Sequence, residues 1–174
     1  MNEAIKNMLT RRSCKSFKPD VVPGDMIDQI VEAGLYAPSG MNRQESVIIA
    51  VTDKATRDKL SKLNSKYDFA HRPDPFYNAP VVLAVLASKN VPTAVYDGSL
   101  VMENLMLAAH SLGVGSCWIH RAKEVFEDPE GREILERIGI DPDEYVGVGN
   151  CVLGYPDKDI DTDKPRKENR VYKI

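Results

Sequence analysis

The chain has 174 residues, of which 43% are hydrophobic and 28% charged, and its formal net charge is −3. This length suits a single domain, and the composition excludes disorder of the whole chain. The acidic balance argues against a global binder of nucleic acid, and no apolar run approaches the ~18 residues that a membrane span needs. We therefore expect neither nucleic acid nor a membrane as a partner.

The N-terminus and the cysteines bear on the cellular compartment. The first residues contain no apolar signal core and no cleavage-site pattern, which predicts a cytoplasmic protein. The cysteines are three in number, Cys14, Cys117 and Cys151, and they lack the close spacing of a disulfide framework or a zinc site. The histidines are not paired at ligand spacing either. We expect no metal site, and the apolar run around Cys117 favours an inert buried thiol.

The first forty residues are predicted to form two helices around a basic segment. Apolar residues at helical spacing predict a short amphipathic helix over residues 2–10. A stretch rich in lysine and arginine follows and ends at Pro19. The second helix is predicted to begin beside Gly24, with Asp25 as its N-cap, and to stop at Pro38.

The middle of the chain is predicted to contain two strands, a polar helix and a loop. Residues 46–51 form a short β-branched run, and residues 54–65 a polar helix. Residues 66–79 combine aromatic residues, Asp or Asn, and prolines without a period, which predicts a loop or lid. Residues 80–86 are apolar throughout, as in a central strand that is covered on both faces.

The second half is dominated by one long helix over residues 93–112. It is apolar on more than one face, which places it at the domain centre or at a subunit interface. Strands are predicted over 114–119 and 145–153, and an amphipathic helix over 129–138. The last twenty residues are a charged arm. Together these elements predict an α+β or α/β arrangement of three layers around a small mixed sheet.

Common nucleotide-binding and hydrolase motifs are absent from the sequence. There is no P-loop pattern, and the G-x-G pairs beginning at Gly113 and Gly147 lack the third glycine and the strand–turn–helix setting of a Rossmann turn. The absence of a G-x-S-x-G elbow disfavours an α/β-hydrolase.

Two segments in the first half each allow a structural and a functional interpretation. The basic run at 11–15 is either a solvated turn or a phosphate clamp, since guanidinium forks and a serine hydroxyl match phosphate oxygens. The small-residue loop at 37–44 is either an ordinary connection or a surface for a flat ligand. In the second case the amides of Asn42 and Gln44 can both donate and accept.

Two further segments lie in the second half. Residues 113–121 hold the only tryptophan at the end of a predicted strand, which is where ligands sit in open α/β sheets. The alternative is that Trp118 and Ile119 belong to the core. The basic run at 164–167 is either a disordered tail or a second source of cations for a phosphate.

Taken together and in this order, these segments resemble the nitroreductase family of FMN-dependent NAD(P)H oxidoreductases. The resemblance runs from about residue 3 to residue 170. The matching elements are RRSCKSF at 11–17, EAGLYAPSGMNRQ at 32–44, NAPVVLAV at 78–85, the run at 97–119, GYP at 154–156 and KPRK at 164–167.

The resemblance implies an α+β fold of three layers, with a mixed central sheet flanked by helices, in an intertwined homodimer that holds FMN at its interface. It implies one FMN-binding domain over residues 1–156. It also implies a C-terminal extension over residues 157–174 that contacts the FMN phosphate and the partner subunit.

The resemblance also assigns cofactor-binding positions, segment by segment. The positions matching the segment that holds the FMN phosphate, ribityl chain and pyrimidine edge are Arg11, Arg12, Ser13 and Lys15. Those matching the loop that the second subunit lays against the isoalloxazine are Pro38, Ser39, Gly40 and Asn42, followed by Gln44. Those matching the strand end beside the flavin are Trp118, Ile119, His120 and Arg121. The C-terminal cations matched to the phosphate are Lys164 and Arg166.

The implied activity is a ping-pong reaction in which NADH or NADPH gives hydride to flavin N5 and a small-molecule acceptor, such as a nitroaromatic or a quinone, is then reduced. Because the flavin carries this chemistry, we expect no catalytic acid or base from the protein. Two alternatives remain open, a non-catalytic flavin-binding sensor or carrier and a different flavin reaction such as dehalogenation. The short segment at 64–79, which varies in the family, leaves the acceptor and the nucleotide preference open.

Overall fold

The computed structural model describes residues 1–160 and 165–174. Its helices are α1 (Glu3–Thr10), α2 (Gly24–Leu35), α3 (Lys54–Tyr67), α4 (Ala94–Ser111), α5 (Ala122–Glu127) and α6 (Pro129–Arg137). Its strands are β1 (Ser46–Val51), β2 (Val81–Ser88), β3 (Gly115–Ile119) and β4 (Tyr145–Gly154). Asn2 caps α1 and Asp53 caps α3 through side-chain oxygens, so both helices begin where a short polar residue accepts a backbone N–H.

The four strands form one sheet in the order β1-β2-β4-β3. All three strand pairs are antiparallel. The parallel component of the expected mixed sheet is confined to an isolated bridge between Ser13 and Ser116. The α+β class is confirmed.

Two apolar cores lie on opposite faces of this sheet. Every residue of β2 is buried, because β2 is covered on both faces, as its continuous apolar sequence predicts. One core is built with residues of α3, α5 and α6, and its largest fully buried side chains include Leu60, Phe76 and Leu135. The other is built with α2 and α4 and includes Ile30 and Met102. The three layers are therefore confirmed.

Helix α4 is mainly a core helix of its own chain. Leu105, Met106 and Ala109 are buried among residues of α2 and the sheet. At its N-terminal half, however, Tyr96 and Leu100 are exposed to solvent. The apolar character on several faces thus has two parts, a buried stripe and an exposed patch. Among the described residues, no helix is both long and apolar enough to cross a membrane.

The basic segment after α1 lies along the free edge of β3. The Cys14 amide donates to the carbonyl of Ser116 at 2.8 Å, and the Lys18 amide donates to the carbonyl of Tyr155 at 2.9 Å. Phe17 also bridges to Pro156. A segment from the N-terminus is therefore held between β3 and the end of β4.

Several observed boundaries depart from the expected ones by one to three residues, for example at the end of β2, which continues to Ser88. The N-cap of α2 is Pro23, with no side-chain hydrogen bond, instead of Asp25. Helix α3 continues to Tyr67, so the loop begins two residues later than expected. Helix α5 was not expected. It has only six residues, which is too short for a 3.6-residue period to be evident in the sequence.

Candidate functional site

The basic segment lines a cleft of about 470 Å³ with the first residues after β4. Its walls are Arg12, Ser13, Cys14, Lys15 and Ser16 on one side, and Lys158, Asp159 and Ile160 on the other. The Asp157 amide donates to the Ser16 carbonyl at 3.1 Å, and the Ser16 hydroxyl contacts the Asp157 carboxylate at 3.3 Å. These contacts fix the two walls relative to each other. We call this space the first cleft.

A second cleft of about 230 Å³ adjoins the first and shares Lys15 with it. It lies between the end of β3 and the loop that follows α3. Its walls are Lys15, Asn64, Asp68, Arg72, Pro75, Tyr77 and the continuous run from Cys117 to Arg121. The structure therefore brings together two of the sequence-predicted segments, the basic run and the strand end.

The end of β3 is held in place from α3. The Asn64 side chain, which is 1% exposed, donates from Nδ2 to the carbonyl of His120 at 2.8 Å. Arg121 then adopts a left-handed conformation, with φ of +82°, and serves as the N-cap residue of α5. This conformation is uncommon for a residue with a side chain, and it ends the strand abruptly at the cleft wall.

The loop between α3 and β2 is fixed by Asp74. Its carboxylate accepts hydrogen bonds from the Arg57 guanidinium at 2.7 Å and from the backbone amide of Phe76 at 3.0 Å. Burial alone would raise the pKa of Asp74, but hydrogen bonds from Arg57, Ser61 and the Asn78 amide hold that pKa below its ordinary value. The outer wall of the second cleft is therefore an ordered loop.

Aromatic rings of this loop lie against cations of the cleft. The Lys15 ammonium lies 6.0 Å from the centroid of the Tyr77 ring, and the Arg72 guanidinium lies 5.8 Å from the same ring. The Arg121 guanidinium lies 4.4 Å from the ring of Phe69. These distances are typical of cation–π contacts.

The two arginines that begin the basic segment have different surroundings. Arg12 donates from Nη1 to the carbonyls of Leu9 and Arg11, both at 2.7 Å, and so caps the end of α1. Arg11 lies 3.9 Å from the Glu103 carboxylate, while its Nη1 is buried and has no hydrogen-bond partner among the described residues. Such a donor is costly to leave unsatisfied, and an anionic ligand would satisfy it.

The predicted loop at 38–44 lies away from both clefts in the folded chain. Pro38, Ser39 and Gln44 line a separate cleft of about 150 Å³ beside Asp97 of α4. The Gly40 amide donates to that carboxylate at 3.0 Å.

The polar side chains of this loop bond to one another. The Gln44 side-chain amide donates to the side-chain Oδ1 of Asn42 at 2.9 Å. The Gln44 backbone amide donates to the Ser39 hydroxyl at 3.0 Å. Within one chain, the structure does not bring this loop to the walls of the first or second cleft.

The predicted C-terminal cations are described only in part. Lys164 lies outside the described residues. Arg166 is exposed, within a segment that has no regular secondary structure from residue 165 onward.

The three cysteines are free and buried. Burial raises the pKa of the Cys117 thiol, and the Ser13 hydroxyl and the Lys15 charge offset this only in part. Burial likewise raises the pKa of Cys14 and of Cys151. Thiols with a raised pKa are weak nucleophiles at neutral pH, which agrees with the expected inert role of Cys117.

The sequence patterns did not identify the residues that α3 and the following loop contribute to the second cleft, namely Asn64, Asp68, Arg72, Pro75 and Tyr77. Asn64 belongs to a helix whose sequence is mostly polar and therefore predicts solvent exposure. Nothing in the neighbouring sequence indicates that Asn64 is buried. Arg72 and Tyr77 lie in the aperiodic segment 66–79, whose concentration of aromatic residues and arginine was the available sign of a cleft wall.

Comparisons with known proteins show which family the chain resembles in sequence and fold. The family model described as "Nitroreductase family" matches residues 8–155. A relative from Archaeoglobus fulgidus, named as an NADH dehydrogenase/NAD(P)H nitroreductase, is 31% identical over 167 residues, covering 92% of this chain and 90% of the relative. An NAD(P)H FMN reductase of Bacillus subtilis is 28% identical over 188 residues, covering 95% and 70%.

Solved structures are similar over the whole chain. A nitroreductase with bound FMN from Bacteroides fragilis has a TM-score of 0.91 and 28% identity, with both chains covered completely. A nitroreductase with bound FMN from Desulfitobacterium hafniense has a TM-score of 0.88 and 26% identity, again with complete coverage.

Proposed function

The chain belongs to the nitroreductase family, and from this premise we propose that it uses FMN to transfer hydride from NADH or NADPH to nitroaromatics, quinones or related small acceptors. Relatives named as NAD(P)H nitroreductase and FMN reductase support an NAD(P)H-dependent flavin oxidoreductase. The observation that carries the proposal is the pair of adjoining clefts that share Lys15.

The residues of the first cleft fit FMN. A phosphate needs cationic and neutral donors, and the walls of the cleft offer the Ser13 hydroxyl and the Lys15 ammonium. Arg11, whose buried Nη1 is unsatisfied among the described residues, precedes these walls in the sequence and does not line the cleft. The wall residues would hold the phosphate, the ribityl chain and the pyrimidine edge. The strand end from Trp118 to Arg121 would flank the ring system. When bound there, FMN would supply the hydride-transfer chemistry, and these residues would hold and orient its ring system.

The second cleft would receive both the nicotinamide and the acceptor in turn. It opens beside Lys15, and its walls are held by the Asn64–His120 and Arg57–Asp74 hydrogen bonds. The protein's part in the reaction is then to bind and orient the two ring systems. We assign no catalytic acid or base to the chain.

We also propose a homodimer with FMN at its interface. Large apolar side chains are exposed on several elements, among them Ile5 of α1, Leu100 of α4 and Tyr172 of the C-terminal segment. Exposed apolar area of this kind commonly marks an interface between subunits. A second copy would also supply the loop at Pro38–Gln44, which lies apart from the clefts of its own chain.

We further propose that residues 1–156 form the FMN-binding domain and that residues 157–174 extend onto the phosphate and the partner subunit. The hydrogen bonds between Ser16 and Asp157 support this division, because they fix the start of the extension against the basic segment. Lys164 and Arg166 would then contribute cations to the phosphate.

The test of the proposed function is anaerobic stopped-flow reduction of the purified holoprotein. NADH or NADPH should bleach the flavin absorption, and nitrobenzene or a benzoquinone should restore it. A flavin that neither nucleotide bleaches would show a non-catalytic flavin-binding protein and overturn the proposal.

A further inference from the structure

We propose that Asp97 of α4 is a positioning residue, which holds the loop at 38–44 in the conformation that a second copy of the chain presents to FMN. This role rests on the proposed function, in which the loop is supplied across the subunit interface. Asp97 lines neither the first nor the second cleft. Its effect on FMN would therefore be transmitted through the loop.

The Asp97 carboxylate joins the start of α4 to the loop. The residue lies in the first turn of the helix and is 8% exposed. Its Oδ1 accepts a hydrogen bond from the Gly40 amide at 3.0 Å, and its Oδ2 accepts one from the Thr93 hydroxyl at 2.9 Å. A negative charge in the first turn is also stabilised by the helix dipole. The carboxylate is thus oriented at the start of its own helix and presents its other oxygen to the loop.

The start of α4 is held firmly against the sheet. Gly98, next to Asp97, packs on β4, since a Cβ there would lie 2.6 Å from a methyl group of Val148. Further along the helix, Met102 and Leu105 have no exposed surface. A hydrogen bond from this helix therefore fixes the loop relative to the core of the chain.

The loop has a backbone that needs such support. Met41, Asn42 and Gln44 each have a φ of +55°, in the left-handed region that residues with side chains rarely adopt. Such conformations persist only where the surrounding structure fixes them. The hydrogen bonds from Gln44 to Ser39 and Asn42 stay within the loop. The bond to Asp97 instead joins the loop to another element.

The contact between the loop and α4 leaves no space for a side chain at position 40. A Cβ on Gly40 would overlap the Thr93 hydroxyl, the same hydroxyl that donates to Asp97. The loop backbone reaches the carboxylate because glycine permits this close approach. Removing the carboxylate would leave the Gly40 amide without this acceptor and would let the loop take other conformations.

A fixed loop matters for a ligand that it contacts. A loop that is already ordered binds at a lower entropic cost than a mobile one does. In the proposed dimer, the loop of one protomer lies against the flavin of its partner. Loss of Asp97 should therefore weaken FMN binding and change the surroundings of the flavin ring while the chain stays folded.

Hydrogen exchange measures the hold on the loop directly. In Asp97→Ala holoprotein, the amides of residues 39–44 should exchange about tenfold faster than in the unaltered protein, as expected on losing a hydrogen bond to a charged group. Asp97→Asn keeps an oxygen for the Gly40 amide and should restore most of the protection. The matched control is Asn104→Ala, which removes another side-chain hydrogen bond of α4, at 3.0 Å to the Ala33 carbonyl of α2. Faster exchange in the control alone, or in neither variant, would overturn the proposal.

Flavin measurements test the effect across the interface. Dilution of the holoprotein releases FMN, whose fluorescence gives the dissociation constant, and visible circular dichroism reports the surroundings of the bound ring. Asp97→Ala should weaken FMN binding about two- to tenfold and change the dichroism, and Asp97→Asn should largely restore both. Asn104→Ala should change neither, even where it lowers the melting temperature. Equal flavin effects in Asp97→Ala and Asn104→Ala would show a merely structural role and overturn the proposal.

A second variant keeps the test available if Asp97→Ala does not fold. Thr93→Val removes the hydroxyl that orients the carboxylate and keeps the shape of the side chain, so it should speed exchange of the loop amides to a smaller extent. Unchanged exchange in Thr93→Val would then contradict the role of Asp97. Failure of NADH and NADPH to bleach the flavin of the unaltered protein would instead overturn the proposed function, and the exchange measurement decides separately whether Asp97 holds the loop.

Discussion

The Arg57 guanidinium and the Asp74 carboxylate form an ion pair at 2.7 Å beneath the loop that borders the second cleft. The Arg57 side chain is 8% exposed and that of Asp74 is 22% exposed. Arg57 also donates from Nε to the carbonyl of Ala79 at 2.9 Å, at the start of β2. Arg57 on α3 thus binds both ends of the segment from residue 74 to residue 79 and holds this part of the loop in place.

The first prediction concerns the stability that this pair provides. Arg57→Met should lower the free energy of unfolding by about 2–4 kcal/mol, because it leaves a partly buried carboxylate without its cation. Urea denaturation at fixed protein and FMN concentrations measures the loss. The control is Arg132→Met, which removes an exposed pair and should cost less than about 1 kcal/mol. Adding Asp74→Asn to Arg57→Met should recover part of the loss, because it removes the unpaired charge and keeps a side-chain oxygen for the Phe76 amide. A further loss would contradict the assignment.

The second prediction concerns how the stability of the fold depends on pH in the acidic range. The folded pKa of Asp74 is below its ordinary value of 3.8, so its ionisation favours the folded state above that value. The contribution should be complete above about pH 5 and should be lost as the pH falls through the folded pKa. Denaturation midpoints between pH 3 and 6 should therefore depend less on pH in Asp74→Asn than in the unaltered protein. Identical slopes would show that Asp74 does not contribute.

The third prediction uses Gly149 of β4, which lies under the tryptophan of the neighbouring strand. A Cβ at this position would lie 2.8 Å from the Trp118 ring and 3.1 Å from the Met102 methyl group. Gly149→Ala should displace the indole and destabilise the fold by about 1–3 kcal/mol. Because Trp118 is the only tryptophan, the shift of its fluorescence emission reports the displacement directly. Unchanged emission and unchanged stability would show that the ring has room.

Much of this fold is predictable from sequence because its signals are local. The apolar run of β2, the long α4 and the caps that begin α3 and α6 are fixed by neighbouring residues. The cap expected at Asp25 was wrong, since Pro23 already begins the helix. The short α5 lacks enough turns to show a period.

The candidate site was only partly predictable, for a different reason. The basic run and the strand end carry recognisable residue types, so both were found. Arg57 and Asn64 belong to a helix whose sequence is mostly polar. Both are nevertheless buried, because their hydrogen-bond partners lie on other elements. Such pairs between distant elements leave no local pattern in the sequence. The outer wall of the second cleft therefore emerges only from the folded chain.

The fourth prediction separates the two faces of α4. Leu100 is exposed and Leu105 is fully buried in the core of its own chain. Leu100→Asp should give a folded monomer with a reduced FMN content, because it places a charge in the proposed subunit interface. Leu105→Asp should instead prevent folding. Light scattering with absorption detection measures mass and flavin together, and Ile138→Asp, at an exposed position after α6, serves as the control. A Leu100→Asp dimer that retains FMN would contradict the proposed interface.

The fifth prediction concerns the C-terminal extension. Arg166→Ala should weaken FMN binding by about five- to 150-fold and make the remaining affinity more sensitive to salt, as expected on losing one charged hydrogen bond to a phosphate. Titration of the apoprotein with FMN measures this change. Arg170→Ala alters a neighbouring cation of the same segment and should have a smaller effect. If the two variants bind FMN equally well, Arg166 has no specific part in holding the phosphate.

The bridges that hold the basic segment have a consequence for biosynthesis. Ser13 pairs with Ser116 and Phe17 pairs with Pro156, so each partner is translated more than one hundred residues after the segment it fixes. A ribosome therefore releases the cationic run long before the strand edge that orders it exists. The proposed binding of FMN in the first cleft must wait until nearly the whole chain has emerged. A nascent polypeptide stalled before β4 would present these positive charges without a cleft to hold them.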